Sequence, residues 1–97
     1  MNIKLTPRAL SEAEAKKRWW RTNRQDSPDL FDDELAEALQ AIRRNPVIGA
    51  IHPSKHPAVV RKRLMPTTNN HDYFAVHEGV ILILSIWGAP RRRGPKL

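Results

Sequence analysis

The chain lacks cysteine altogether and is poor in glycine and aromatic residues. Of its 97 residues none is Cys, four are Gly and 6% are aromatic. Without thiols it can form neither disulfides nor Cys-ligated zinc sites, and it has no thiol nucleophile. Long apolar runs are also missing, since the longest, Val80 to Leu84, is far shorter than the ~20 residues of a bilayer-spanning helix. We therefore expect a cytoplasmic protein that is neither secreted nor inserted into a membrane.

The sequence is rich in positive charge, which is unevenly distributed. The formal net charge is +7, and 28% of the residues are charged. Residues 1–24 carry seven Lys or Arg against two Glu, residues 25–46 two Arg against six acids, and residues 47–97 eight Lys or Arg against two acids. Such a field favours nucleic acid or an acidic protein as a partner. The length predicts a single domain over residues 1–97, with at most two packed layers.

The first half of the chain predicts a strand followed by two helices. Residues 2–6 alternate in polarity as a half-buried strand does. Residues 9–24 predict a helix with a core-facing side and with Trp19 at the surface. Ser27, a capping residue, and Pro28 predict the start of a second helix that ends at Asn45, and the short link predicts an antiparallel hairpin. The predicted core-facing residues are Leu10, Ala13, Lys17 and Trp20 in the first helix, and Phe31, Leu35, Ala38, Leu39 and Ile42 in the second.

The second half predicts a loop and then a three-stranded antiparallel meander, which makes the fold class α+β with one sheet. Residues 47–58 contain Pro and Gly and are interpreted as a loop. The predicted strands are residues 59–65, 72–77 and 80–87. The last strand is apolar on both faces, so something other than the helices must cover its second face. Residues 88–97, rich in Gly, Pro and Arg, are expected to form a flexible basic tail.

Four short sequences, in this order and at this chain length, resemble the ParE/RelE superfamily of bacterial toxins from type II toxin-antitoxin systems. They are Ser-Pro-Asp at 27–29, Asn-Pro-Val-Ile-Gly at 45–49, Val-Arg-Lys-Arg-Leu at 60–64, and Ile-Trp at 86–87 followed by Arg-Arg-Arg-Gly-Pro at 91–95. The resemblance covers nearly the whole chain. It implies a compact toxin held inactive by an acidic antitoxin that is partly disordered until bound, in a hetero-oligomer of toxin and antitoxin.

The resemblance leaves the target open. A ParE-like toxin inhibits DNA gyrase by binding and needs no catalytic residues, which fits Gly88 at a place where many relatives carry His or another polar residue. The alternative is a RelE-like endoribonuclease that cuts mRNA on the ribosome. A third possibility, from another class, is a nucleic-acid-binding regulator without toxicity. None of the three needs a cofactor.

Basic residues supply the candidate target-binding site. Strand alternation puts Arg61 and Arg63 on one face and Lys62 on the other. The arginine pair and the basic tail are the candidates for contact with phosphate or carboxylate groups. The predicted target-binding residues are Arg61, Arg63, Arg91, Arg92, Arg93 and Lys96.

The histidines matter only for the ribonuclease alternative. His71 and His77 are six residues apart on one strand and therefore share a face, so the alternative catalytic set is Arg61, Arg63, His71 and His77. His52 and His56 have a spacing found in zinc ligands, but they lie in a Pro-containing loop with no second ligand pair, so we expect no metal site.

The bare face of the last strand supplies the candidate antitoxin surface. Its apolar side chains need a cover, and an antitoxin segment is the expected one. The predicted antitoxin-binding residues are Trp19, Val80, Ile81, Leu82, Ile83 and Leu84.

Overall fold

One five-stranded sheet carries two helices on a single face. The computed structural model describes residues 1–89 and 94–97. The strands lie in the order β1-β5-β4-β3-β2, with β1 parallel to β5 and all other neighbours antiparallel. This confirms the predicted α+β class, with one strand more than expected. The elements are β1 (Asn2–Leu5), α1 (Pro7–Asn23), α2 (Leu30–Arg44), β2 (Ala50–His52), β3 (Val60–Met65), β4 (Asn70–His77) and β5 (Val80–Gly88).

The helix starts follow the local capping chemistry. The Thr6 side chain accepts a hydrogen bond from the Ala9 N–H (3.2 Å), and Pro7 is the first helical residue, so α1 begins earlier than predicted. The start of α2 at Ser27 was predicted wrongly. Residues 27–30 form a turn in which the Leu30 N–H donates to the Ser27 carbonyl (3.3 Å), and α2 follows that turn. Neither helix, within residues 1–89 and 94–97, is long and apolar enough to cross a membrane.

The main core lies between the helices and the sheet. Ala9 and Ala13 of α1 are buried there, and their small side chains let the helix lie close to β5. Trp20 packs against this core as predicted, whereas Leu10 is 51% exposed, so the core-facing side of α1 centres on the alanines. The predicted stripe of α2 is confirmed, with Phe31, Leu35, Ala38 and Ile42 buried and Leu39 partly buried.

The predicted loop over residues 47–58 contains a strand that the sequence did not indicate. β2 pairs antiparallel with β3, with Ala50 opposite Lys62. Gly49 precedes it with φ +87°, and a Cβ there would lie 2.2 Å from the Lys62 carbonyl oxygen. Only glycine allows this close backbone approach. Because β2 is only three residues long and the link to β3 contains Pro53 and Pro57, no local pattern indicated the pairing.

A β-bulge in β5 explains how this strand presents apolar side chains to both faces. Tyr73 pairs with Ser85 but Phe74 pairs with Ile83, so β5 has one extra residue at this point. Glu12 of α1 accepts hydrogen bonds from the Ser85 hydroxyl (2.8 Å) and the Ile86 N–H (3.1 Å). The bulge is therefore tied directly to α1. Ile81, Ile83 and Ile86 lie in the main core, and Leu82, Leu84 and Trp87 pack on the opposite face.

The expectation of a flexible tail over residues 88–97 needs correction at both ends. Gly88 is the last residue of β5, and residues 94–97, here called the C-terminal segment, pack on the face of the sheet that the helices leave free. Pro95 is buried, and Leu97 packs against the apolar cluster of that helix-free face. This segment buries apolar side chains without forming a helix or strand, which its composition does not indicate.

The turn between β3 and β4 is fixed to α2 by one carboxylate. Glu34 accepts hydrogen bonds from the Thr67 N–H (2.6 Å), the Thr68 N–H (2.8 Å) and the Thr68 hydroxyl (2.6 Å). Burial alone would raise the pKa of Glu34, but these hydrogen bonds outweigh it and lower the pKa. The turn is therefore held in place by charge-assisted hydrogen bonds.

A second carboxyl group, that of Asp72, is buried without a partner. Its residue is 0% exposed, and neither carboxyl oxygen has a hydrogen-bond partner. Burial raises the pKa of Asp72 from 3.8 to about 7, with Arg63 opposing the shift and Glu34 adding to it. The folded chain therefore holds this proton more tightly than the unfolded chain. The resulting stabilisation is complete below pH ~4 and is lost as the pH rises through the folded pKa.

Asp72→Asn should remove this pH dependence because the amide does not titrate. Between about pH 5 and pH 8 the free energy of unfolding of the wild type should fall by about 2 kcal/mol more than that of the variant. Urea denaturation at the two pH values measures the difference. Asp26→Asn, at an exposed position, is the matched control and should behave as wild type. Equal pH dependence in wild type and Asp72→Asn would contradict the assignment.

Candidate functional site

Four polar side chains from three strands converge on the helix-free face. They are His52 of β2, Lys62 of β3, and His71 and Tyr73 of β4, here called the histidine–tyrosine site. Lys62 is the cross-strand partner of Tyr73. The Tyr73 ring meets the His52 ring edge-on at 4.8 Å between centroids and the His71 ring at 6.1 Å. Tyr73 thus stands between the two imidazoles, beside a cation.

The surroundings of the site keep both imidazoles neutral at physiological pH. Burial lowers the pKa of His52, and the positive charge of Lys62 lowers it further. The pKa of His71 is lowered in the same way by burial and Lys62, and also by His52. Burial raises the pKa of the Tyr73 phenol, which stays protonated. The site therefore combines neutral imidazoles that can accept a proton, a hydroxyl donor and a fixed positive charge.

The C-terminal segment lies over this site. A Cβ atom added to Gly94 would come within 2.8 Å of both the His52 Cε1 and the Tyr73 hydroxyl oxygen. A side chain at this position would require the His52 ring or the Tyr73 hydroxyl to shift. The site is therefore partly closed by the protein's own chain.

The predicted catalytic set of Arg61, Arg63, His71 and His77 does not form one site. Arg63 lines a small cavity with Glu34 and Glu37 of α2, on the helix side of the sheet. Arg61 shares that side by strand alternation, and its guanidinium donates to the Gly49 carbonyl (3.4 Å). The pairing register of β3 and β4 separates the arginines from His71. Arg63 lies opposite Asp72, whereas His71 lies opposite Leu64 on the other face of the sheet.

His77 is also separated from His71. It ends β4 and lies 3.7 Å from the Glu78 carboxylate, with its side chain 47% exposed. Six residues of extended strand separate it from His71, which corresponds to ~20 Å. Sharing a face therefore did not bring the two imidazoles together.

Sequence reasoning missed three of the four site residues. Lys62 was noticed only as the residue opposite the arginine pair, and Tyr73 was not singled out. His52 was considered with His56 for a metal, but the His56 Nδ1 accepts the Ala58 N–H (3.1 Å) and belongs to a turn. Within residues 1–89 and 94–97 no three His, Asp or Glu side chains form a group that could hold a metal ion.

The predicted basic tail can be located only in part. Arg91, Arg92 and Arg93 lie outside the described residues. Lys96 is exposed on the C-terminal segment, where its backbone carbonyl accepts a hydrogen bond from the Arg8 guanidinium (2.8 Å).

The predicted antitoxin surface on β5 needs correction. Ile81 and Ile83 are 0% exposed beneath the helices, so no partner can reach them in the folded protein. Leu82 and Leu84 do lie on the helix-free face, but the chain's own Leu97 already packs against their cluster. Val80 is half-buried at the start of β5, and Trp19 is 50% exposed.

Trp19 lines a groove that remains accessible. The groove has a volume of about 740 Å³ and lies between the second half of α1, the β3–β4 turn and the end of β5. Trp19 and Trp20 meet edge-on at 5.6 Å, and the Arg24 guanidinium lies 5.9 Å from the Trp20 ring centroid. Lys16 adds a second basic residue to the lining. An aromatic groove with basic residues suits an apolar segment that carries acidic side chains.

Solved structures share this architecture. The chain aligns with a chain from a structure described as the chromosomal ParDE TA system from P. aeruginosa, with a TM-score of 0.71 and 21% identity, covering 91% of this chain and 95% of that one. It aligns with the structure of the YoeB dimer from Staphylococcus aureus with a TM-score of 0.54 and 19% identity, covering 90% and 94%. The chain has the ParE/RelE-type toxin fold. This confirms the fold that the sequence resemblance implied.

Sequence comparison finds no relative of the chain beyond the shared fold. No protein-family model matches the chain, and no curated protein matches it.

Lys62→Met should raise the pKa values of both His52 and His71, because it removes a nearby positive charge and keeps most of the aliphatic stem. An NMR titration of the imidazole Cε1 protons measures both values. Lys4→Met, on the edge strand β1, is the matched control and should leave them unchanged. Unchanged values in Lys62→Met would show that Lys62 does not act on the site.

Proposed function

We propose that this protein is the toxin of a type II toxin-antitoxin pair and that it is ParE-like, inhibiting DNA gyrase by binding it. The main support is the structural likeness to a chain of a ParDE system, which extends over nearly the whole length of both chains. The likeness to YoeB has the lower TM-score. Inhibition of gyrase by binding requires no open catalytic site, which is consistent with a histidine–tyrosine site that the C-terminal segment covers.

The proposed antitoxin is an acidic segment, partly disordered until bound, and its proposed position is the groove at Trp19. The groove at Trp19 thus takes the place of β5, where the sequence analysis expected the antitoxin to dock. The groove combines apolar area with Lys16 and Arg24, and α1 carries further exposed basic residues at Arg18 and Arg21. A chain of net charge +7 attracts such a partner at long range.

The histidine–tyrosine site favours a second candidate, a RelE-like endoribonuclease that cuts mRNA on the ribosome. RNA cleavage of this kind requires a base that takes the proton of the ribose 2′-hydroxyl as that oxygen attacks the phosphorus. It also requires positive charge near the phosphate oxygens and an acid that protonates the leaving 5′-oxygen. A neutral imidazole, Lys62 and the Tyr73 hydroxyl can supply these three functions. In this candidate the histidine–tyrosine site takes the catalytic role that the sequence analysis gave to Arg61, Arg63 and His77 together with His71.

Purified protein distinguishes the two candidates. We expect inhibition of DNA gyrase supercoiling and no ribosome-dependent mRNA cleavage. His71→Gln should inhibit gyrase as the wild type does, whereas a ribonuclease would lose on the order of 10²-fold in rate through this change. Cleavage that His71→Gln abolishes, without gyrase inhibition, would establish the second candidate. Absence of both activities would favour a regulator that binds nucleic acid without toxicity.

Trp19→Ala should weaken antitoxin binding about tenfold or more, because exposed aromatic side chains in a groove commonly dominate binding energy. Calorimetric titration with the cognate antitoxin measures the affinity. Leu10→Ala changes another exposed apolar residue of α1 outside the groove and should have little effect. If the two variants bind equally well, the groove is not the docking surface.

A further inference from the structure

The C-terminal segment is attached to the helix-free face mainly through its carbonyl oxygens. The Lys96 carbonyl accepts from the Arg8 guanidinium (2.8 Å). The Leu97 carbonyl accepts from the Ser54 hydroxyl (3.2 Å) and from the Lys55 N–H (3.2 Å). These three donors come from two separate parts of the chain, the start of α1 and the loop after β2.

The same segment also covers part of the histidine–tyrosine site. Gly94 lies against His52 and Tyr73, so that a side chain there would force one of them to shift. A ligand that reaches the imidazole of His52 or the hydroxyl of Tyr73 from this side must therefore displace Gly94.

The donors of the histidine–tyrosine site are those that a phosphate group would use. Tyr73 carries a hydroxyl, His52 and His71 are neutral and each carry one N–H, and Lys62 is a cation. None of the four site residues is acidic. The Arg8 guanidinium, which donates to the Lys96 carbonyl, also pairs with Glu12 (3.5 Å) and lies 5.7 Å from the Trp87 ring centroid. The carbonyl oxygens of residues 96 and 97 accept hydrogen bonds from Arg8, Ser54 and Lys55, and phosphate oxygens could accept such hydrogen bonds in their place.

We propose that residues 94–97 form an autoinhibitory strap that competes with a phosphate-containing ligand for the histidine–tyrosine site. With the strap in place Gly94 covers His52 and Tyr73, and when the strap leaves, these two side chains become available to the phosphate. The proposal deepens the second candidate function, since it concerns access to the same site, but it does not require that the site cleave RNA. Because only the open fraction of molecules binds, closure raises the apparent Kd by the inverse of that fraction.

A reversible disulfide can hold the strap closed. The chain contains no cysteine, so Ser54→Cys with Leu97→Cys would introduce the only pair, at positions whose Ser54 Oγ and Leu97 carbonyl oxygen are 3.2 Å apart. The oxidised protein keeps the strap in place. The reduced protein lacks both the Leu97 side chain and the Ser54 hydroxyl, so its strap is released more easily. Comparing one protein in two redox states avoids differences in expression or purity.

The probes are inorganic phosphate, a short single-stranded RNA and its deoxy counterpart, each titrated while NMR follows the imidazole signals of His52 and His71. We expect the reduced protein to bind at least about tenfold more tightly than the oxidised protein. A response to all three probes would identify a site for phosphate groups in general, and a response to RNA alone would identify one that also reads the 2′-hydroxyl. Either response, if it depends on the redox state, supports the strap.

A second variant guards against misfolding of the disulfide protein. Leu97→Ser removes the apolar anchor of the strap without touching a donor, and it should bind phosphate more tightly than wild type. Val47→Ser, at an exposed apolar residue outside the strap, is the matched control. Equal affinity of the oxidised and reduced proteins, or no binding to the reduced protein at all, would overturn the proposal. Because no assay here uses gyrase or the ribosome, failure of the strap is distinguishable from failure of the proposed function.

Discussion

The rest of the structure depends on the interior position of β5, which pairs with β1 on one side and β4 on the other. This strand buries apolar side chains on both faces. The bulge near Ser85 shifts the alternation by one residue, so that Ile83 and Ile86 both face the main core. An N–H displaced from regular pairing by a bulge would be costly to bury without a partner. The Glu12 carboxylate accepts the Ile86 N–H and thereby connects the strand to α1. One glutamate thus joins the helix layer to the sheet.

The two faces of the sheet have different electrostatic character. Under the helices lie carboxyl groups, with Glu34 hydrogen-bonded to the β3–β4 turn and Asp72 buried without a partner. On the helix-free face, Lys62 and two histidines surround Tyr73. The strand Val60–Met65 alternates its basic residues between these faces, so that Arg63 lies beside the α2 carboxylates and Lys62 lies in the histidine–tyrosine site. The four site residues on the helix-free face therefore include a cation and no carboxylate.

The accessible and the covered surfaces suit different partners. The groove at Trp19 is open and basic, which fits a protein segment with apolar and acidic side chains. The histidine–tyrosine site is small, rich in donors and covered by residues 94–97, which fits a phosphate group that must compete for entry. The groove and the site are neighbours, because Trp87 of the groove lining pairs with His71 of the site across β5 and β4.

The sequence by itself determined the features that depend on local chemistry. The stripe of α2 follows from side-chain spacing, its end at Asn45 from the proline that follows, and the three strands of the meander from β-rich runs between turn residues. The short sequences from Ser27 to Pro95 also carried the resemblance to the correct fold.

Tertiary structure alone decided what depends on register and on contacts distant in sequence. It paired Ala50 with Lys62 to make β2, and it placed His71 opposite Leu64 and away from the arginines. It also folded Leu97 back onto the sheet. Alternation along one strand fixes which residues share a face, but only pairing with a neighbouring strand decides which side chains meet across it.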